Sequence, residues 1–235
     1  MTGRRLTRAC AVSADDYNEL THTMDVLLLG ASGRIGRRIA SELLDRGHAV
    51  TGVSRGGEVD GIDDADFVAV AGDATDADQI ARLAAGHDAV ASALGPGDDE
   101  SPERLATMLE AVVDGMRRAS VDRLVWTGGA GILTVGPDTR LIETEDFPEE
   151  WKPVASAAID AYGILEGVDD LRWTYVAPPA LIEPGERTGE YRTATGELVA
   201  TEDGDSHISM EDFAVAFADE LETGDAVHTQ LAVGY

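Results

Sequence analysis

Short apolar runs alternate along this chain with longer stretches whose apolar residues recur every three to four positions. The runs predict strands over Asp25–Gly30, Ala49–Ser54, Phe67–Ala71, Asp88–Leu94, Arg123–Thr127 and Arg172–Val176. The periodic stretches predict helices over about 34–46, 76–85, 101–119 and 153–167. Gly47 follows the first helix as its expected C-terminal cap, and Ser101-Pro102-Glu103 reads as a cap followed by proline at the first helical position. Apolar strands alternating with helices imply a parallel sheet with right-handed crossovers, here a single α/β domain of doubly wound, Rossmann type. An acidic loop is expected over Asp60–Asp66 and a long loop over Gly128–Lys152. Beyond Pro178-Pro179 the pattern turns irregular. A hairpin is expected around Tyr191–Val199, a helix over Met210–Glu222, and a last strand, Thr229–Val233, closing the sheet.

Residues 1–23 lack this periodicity. They are basic at first and then polar, and read either as a loose extension ahead of Met24 or as an extra element packed on the domain. The organised domain is then residues 24–235, with a small substrate portion at its C-terminal end.

Charge changes the picture next. Asp and Glu number 45 against 18 Lys and Arg, a formal charge of −27. Such a surface repels nucleic acid and anionic membranes, which leaves a small molecule as the expected partner and a monomer or homodimer as the expected assembly. Lys152 is the only lysine. Acid excess with arginine kept and lysine nearly gone resembles proteins from salt-loving cytoplasms, where self-repulsion is screened over roughly 3 Å at 1 M salt. An acidic protein from ordinary salt is the alternative. Cys10 stands alone, so no internal disulfide can form and a reducing cytoplasm is expected. His22, His48, His87, His207 and His228 show no metal-ligand spacing, and no metal site is expected. No apolar run approaches the ~20 residues of a membrane span.

The first strand runs into Gly30, Gly33 and Gly36, and the first helix opens there. Glycines at this turn let an anion approach the backbone, and the positive end of the helix favours it. Gly30, Ser32, Gly33, Arg34, Ile35 and Gly36 are the expected contacts to a dinucleotide pyrophosphate. A phosphate loop of the NTPase kind is excluded, because Ile35-Gly36-Arg37 stands where Gly-Lys-Ser/Thr is needed.

Ligands of such sheets sit outside the carboxyl ends of the strands. The second strand ends in Ser54-Arg55 where an NAD site usually carries an acid for the ribose 2′-OH. A guanidinium fork suits a 2′-phosphate, so NADP(H) is favoured over NAD(H), with a solvated surface role for Arg55 as the alternative. Arg34 and Arg37 add positive potential, while Arg38 belongs on the solvent face. Asp73, with Ala74, is placed to accept from the adenine amino group or else to start a turn, with Asp76 capping the next helix. Small residues at Ala93-Leu94-Gly95 leave room for the nicotinamide ribose.

These strand ends form a set with Thr127-Gly128-Gly129-Ala130-Gly131, with Trp173-Thr174-Tyr175-Val176-Ala177-Pro178-Pro179, with Pro184–Arg192 and with His207–Asp212. Together they resemble the atypical short-chain dehydrogenase/reductases of the NAD(P)H-binding type, near the flavin reductase/biliverdin-IXβ reductase group. The resemblance covers residues 25–235 and implies that Thr127, Gly128, Gly129 and Pro178 also meet the cofactor.

One departure bears on chemistry. Tyrosine-dependent members use a serine with Tyr-x-x-x-Lys, the lysine lowering the tyrosine pKa. Here Tyr162, the weak catalytic candidate, is followed by Glu166, and Thr127-Gly128-Gly129 lacks the serine. A carboxylate raises a tyrosine pKa. Hydride transfer to a flavin-like or quinone-like acceptor needs stacking room and little proton donation, and is the favoured reading. A non-catalytic NADP(H)-binding sensor is the alternative, and a sugar-nucleotide epimerase or dehydratase the third. The acceptor is expected near Gly95, residues 129–133, Trp151 and residues 178–187. Trp151 would stack on it or plug the loop. Arg187 would bind an anionic acceptor or pair with one of the many carboxylates.

Overall fold

The computed structural model describes residues 23–96 and 101–235, so the question of the N-terminal extension lies outside the described residues. The strands are β1 (Asp25–Leu29), β2 (Ala49–Ser54), β3 (Phe67–Ala71), β4 (Ala89–Ser92), β5 (Arg123–Thr127), β6 (Thr134–Gly136), β7 (Thr139–Arg140), β8 (Arg172–Ala177), β9 (Leu181–Glu183), β10 (Arg192–Thr195), β11 (His207–Ser209) and β12 (Thr229–Gly234). The helices are α1 (Arg34–Asp45), α2 (Ala77–Ala84), α3 (Arg104–Ala119), α4 (Lys152–Leu165) and α5 (Met210–Thr223). Eight strands make one sheet in the order β3-β2-β1-β4-β5-β8-β12-β10. Every pair in it is parallel except the outermost, β10 against β12. This is the expected doubly wound Rossmann-type sheet. Strand order reverses between β1 and β4, and the crevice above that point is where such sheets bind ligands.

Both faces of the sheet are covered, which explains why β1 is apolar at successive positions. Leu27 and Leu29 point to the face packed by α2, α3 and α4. Val26 and Leu28 point to the face packed by α1 and α5. Helix α1 ends as expected: Gly47 has φ +85°, and the amides of Gly47 and His48 donate to the carbonyls of Leu44 and Leu43.

Strand β4 is shorter than the expected Asp88–Leu94, and three further features differ from expectation. Helix α3 starts at Arg104, not Ser101. The preceding turn closes through Arg104 N–H to Ser101 O (3.1 Å) and Leu105 N–H to Pro102 O (3.0 Å), so Ser101 does not cap the helix with its side chain. The hairpin around Tyr191–Val199 does not form. Arg192–Thr195 pairs instead with β12, from Arg192 opposite Gly234 to Thr195 opposite Leu231. The other half of the expected hairpin is drawn to Thr134, whose amide donates to Gly196 O and whose carbonyl accepts from Leu198 N–H. Consequently β12 lies inside the sheet, between β8 and β10, and β10 forms the edge.

The C-terminal portion is held by Asp212 in the first turn of α5. This fully buried carboxylate accepts from Thr188 N–H (2.8 Å), Thr188 Oγ1 (2.6 Å), Gly189 N–H (2.7 Å) and Tyr235 OH (2.5 Å). Burial opposes its charge, but the hydroxyls and amides around it win and hold its pKa below the usual carboxylate value. Segments 184–191 and 207–212, grouped by sequence as one set, are thus joined around one carboxylate.

Candidate functional site

Above the β1/β4 switch point lie two adjoining clefts that share Ile35, Ala93, Leu94, Gly95 and Pro96 as their common wall. The outer cleft, of about 560 Å³, is lined by the glycine turn and by the ends of β2 and β3. The inner one, of about 660 Å³, is roofed by residues 141–154 and floored by the end of β5.

The outer cleft is built by backbone proximity. Gly30 has φ +78°, and a Cβ there would lie 2.6 Å from Ala93 O. A Cβ at Gly36 would lie 2.1 Å from Gly30 O, so only glycine lets α1 start this close to the turn. The amides of Gly30 and Ala31 both donate to Val53 O at 3.1 Å, fixing the turn against β2. Helix α1 has Gly33 at its N-cap, no side-chain cap and no acid in its first turn. Its positive end therefore has no acid of its own first turn to neutralise it. Ser32, Gly33, Arg34 and Ile35 line the cleft there. A pyrophosphate fits this cradle, which a side chain at Gly30 or Gly36 would close.

Arg55 lines the outer cleft. Ser54 also lines it and donates its hydroxyl to Glu58 O at 2.9 Å. Asp73 and Ala74 also line the cleft. The turn reading of Asp73 holds: its Oδ1 accepts from Thr75 N–H (2.9 Å) and Thr75 Oγ1 (2.8 Å), which lower its pKa. Asp76 caps α2 through bonds from Asp78 N–H and Gln79 N–H. Arg104, at the start of α3, lines the cleft and reaches Asp73 at 3.5 Å. Sequence reasoning missed it because Ser101 was expected to begin that helix. Arg37 does not line either cleft. Arg38 is not simply solvated, since it pairs with Glu211 at 2.6 Å.

In the inner cleft, Thr127, Gly128, Gly129 and Pro178 come together. Tyr175 on β8 shapes this floor. Its hydroxyl accepts from Gly129 N–H (3.0 Å) and donates to Ala158 O (3.2 Å), and a Cβ at Gly128 would fall 2.0 Å from its ring. Complete burial raises its pKa, so it stays a neutral hydrogen-bonding strut. The sequence places Tyr175 in the motif Trp173–Pro179 but gives it no role of its own. Trp151 lines the inner cleft and is 51% exposed.

Two candidates fall elsewhere. Tyr162 lines neither cleft. It stacks edge-on against Trp173 and Tyr175, with centroids 6.0 and 5.1 Å apart. Burial, aided by the charge of Glu166 and partly offset by a hydrogen bond with Gln230, raises its pKa. It is a packing residue, because α4 turns that face onto β8. Arg187 is also outside both clefts. Its guanidinium grips buried Glu42 on α1, Nε to Oε2 at 2.7 Å and Nη2 to Oε1 at 2.8 Å. That contact clamps segment 184–191 to α1, and the anion-binding role does not apply. Among the described residues no cluster of three or more His, Cys, Asp or Glu is arranged to hold a metal ion, and no helix is long and apolar enough to cross a membrane.

A family model for NAD(P)H-binding proteins matches residues 30–223, from the first glycine of the turn to the end of α5. The chain belongs to the NAD(P)H-binding family. It is similar to the uncharacterized protein YwnB of Bacillus subtilis (strain 168), 34% identical over 85% of this chain and 92% of that protein. It is also similar in structure to a provisionally assigned exported protein from Burkholderia pseudomallei, with TM-score 0.83, 46% identity, and coverage of 91% of this chain and 100% of that one. A provisionally assigned epimerase from Bacteroides thetaiotaomicron gives TM-score 0.84 and 33% identity, covering 91% and 98%. A provisionally assigned NADH-flavin reductase from Streptococcus pneumoniae TIGR4 gives TM-score 0.79 and 31% identity, covering 90% and 99%. The fold and a nicotinamide cofactor are thus common ground, within a family whose structural neighbours are named for both flavin reduction and epimerisation.

Proposed function

We propose that this protein is an NADPH-dependent reductase of a flavin-like or quinone-like acceptor. One observation carries the reading: the glycine cradle opens directly into an apolar cleft that Tyr162 does not enter and that no lysine lines. When bound, the nicotinamide would supply a hydride, two electrons and one hydrogen, to the acceptor, with a proton from water balancing the reduction. The chain's own residues do the rest. The turn over Gly30–Gly36 and the start of α1 hold the pyrophosphate. Gly95 and the Gly128-Gly129 floor leave space for two stacked rings. Residues 141–154 keep water from the reacting faces.

Arg55 and Arg34 support NADPH over NADH, since both line the cleft half where a 2′-phosphate would lie. We place the protein in a reducing cytoplasm on its single cysteine and its nicotinamide cofactor. The sensor reading draws on the same lack of a tyrosine–lysine pair. Oxidation of NADPH in multimolar KCl with menadione and riboflavin separates the two. Turnover above background supports the reductase, and tight NADPH binding without turnover supports the sensor. The epimerase reading needs a proton-transferring tyrosine, and Tyr162 is held away from the cleft.

A further inference from the structure

The inner cleft carries a charge pattern opposite to that of the outer one. Arg34, Arg55 and Arg104 line the outer cleft, whereas among the described residues no basic side chain lines the inner one. Among the described residues the single ionisable side chain in the inner lining is Asp146, beside a wall of Leu141, Phe147, Trp151, Val154 and Ile182. The cations nearest in sequence are already engaged. Arg140 pairs with Glu143 at 2.8 Å, and Lys152 pairs with Glu149. Arg187, the remaining candidate to receive an anion, is held by Glu42.

An anionic group entering such a cleft would lose water and meet, among the described residues, no cation, only the Asp146 carboxylate and the hydroxyls of Thr127 and Thr144. An uncharged ring loses little and gains apolar contact with Trp151 and Phe147. On the reductase reading of this cleft, we propose that its acceptor is an uncharged, planar, conjugated ring that bears no phosphate, carboxylate or sulfonate. Free flavin mononucleotide and linear tetrapyrroles with propionates are then poor substrates, and a neutral quinone or an unphosphorylated isoalloxazine is a good one.

The test compares two probes that differ by one charge on the ring itself, 1,4-naphthoquinone and 1,4-naphthoquinone-2-sulfonate. Each is titrated by calorimetry into the NADP+-bound full chain in 1 M KCl. At that ionic strength screening acts over roughly 3 Å, so repulsion by the distant surface charge is removed and the local lining is what remains. The neutral quinone is expected to bind at least tenfold more tightly. Val154→Arg supplies the missing cation at a partly exposed position on the first turn of α4 and is expected to bring the two affinities within threefold. Asp146→Asn is a second variant that leaves the apolar wall intact, and it should narrow the preference in the same direction. Equal affinities in the wild type, tighter binding of the sulfonate, or binding of neither probe would overturn the proposal. Binding of the neutral quinone without any NADPH oxidation would overturn the reductase reading instead and leave the charge preference standing.

Discussion

The two halves of the cleft share one wall but are built on different principles. The outer half is made of backbone. Its decisive features are the φ of +78° at Gly30 and the 2.1 Å that a Cβ on Gly36 would leave to Gly30 O. Its lining mixes polar and charged side chains, Ser32, Arg34, Ser54, Arg55, Asp73 and Arg104, with apolar ones, drawn from the strand ends and from α3. The inner half is made of side chains from segments far apart in sequence, residues 127–131, 141–158 and 178–182, and it is apolar. The outer half has to recognise a group of fixed shape and charge, so backbone amides and arginines suffice. The inner half has to fit one acceptor among many, and loops over a rigid sheet are where such fitting is done.

The sharpest way to break this comparison is to fill the shared wall. A Cβ at Gly95 would meet nothing within 4 Å, so Gly95→Leu should fold normally yet place a side chain where the halves meet. We expect activity to fall by at least about 10², the order of loss that misplacing reacting groups produces, with little change in melting temperature. Retained activity would show that the two halves do not form one site.

Arg55→Ala tests the outer half alone. An arginine–phosphate contact contributes roughly 1.5–3 kcal/mol, or about ten- to a hundredfold in affinity. NADPH binding should weaken by that factor while NADH binding stays unchanged. Equal affinity of the wild type for both cofactors would remove the NADPH preference.

Salt acts on both halves through the frame that carries them. With a formal charge of −27, unfolding midpoints should rise steeply between dilute buffer and multimolar KCl. A flat profile would remove the salt-loving reading.

Arg187 belongs to neither half, and its substitution should separate stability from substrate binding. Hydrogen bonds from Arg187 hold the pKa of Glu42 below its usual value, Arg46 adds to this, and burial opposes it. A carboxylate depressed in the folded state stabilises above its unfolded pKa and loses that contribution as pH falls through the folded value. Arg187→Ala should therefore lower the melting temperature by about 2–4 °C near neutral pH, for a loss on the order of 1 kcal/mol. The difference from wild type should shrink as the medium is acidified through the lowered folded-state pKa of Glu42. The KM for the acceptor should not move. A raised KM would return Arg187 to the site.

The smallest effect is expected from Tyr162→Phe. As a packing residue between Trp173 and Tyr175, it should change turnover by less than about threefold, against the 10²–10⁴ lost with a general acid. A loss of that size would restore tyrosine-dependent chemistry.

The outer half was legible from sequence because its requirements are local. Gly30, Gly33 and Gly36 sit at fixed offsets from an apolar strand, and no distant residue is needed to recognise a turn whose glycines admit a phosphate. The same holds for β2, β3 and β5, whose predicted and observed limits coincide. Asp76 as a cap and Gly47 as a helix stop are equally short-range. Arg187 and Tyr162 show where this legibility ends. Each lies in the stretch of sequence the site was expected to use, but its partner lies 145 or 11 residues away, and that partner decides which way the side chain points.

The sequence by itself determined the alternation of strand and helix, the phosphate turn and the acidic surface, because each follows from neighbours within a few positions. Only the tertiary structure decided that the final strand lies inside the sheet with β10 at its edge. The reason is that strand pairing is satisfied by whichever backbone donors are near in space, and those of Arg192–Thr195 meet β12 rather than their own continuation. The charge of the inner cleft was decided in the same way. Nothing near Arg187 in sequence announces that Glu42 on α1 will take it, and with that pairing the cleft is left with one carboxylate and an apolar wall.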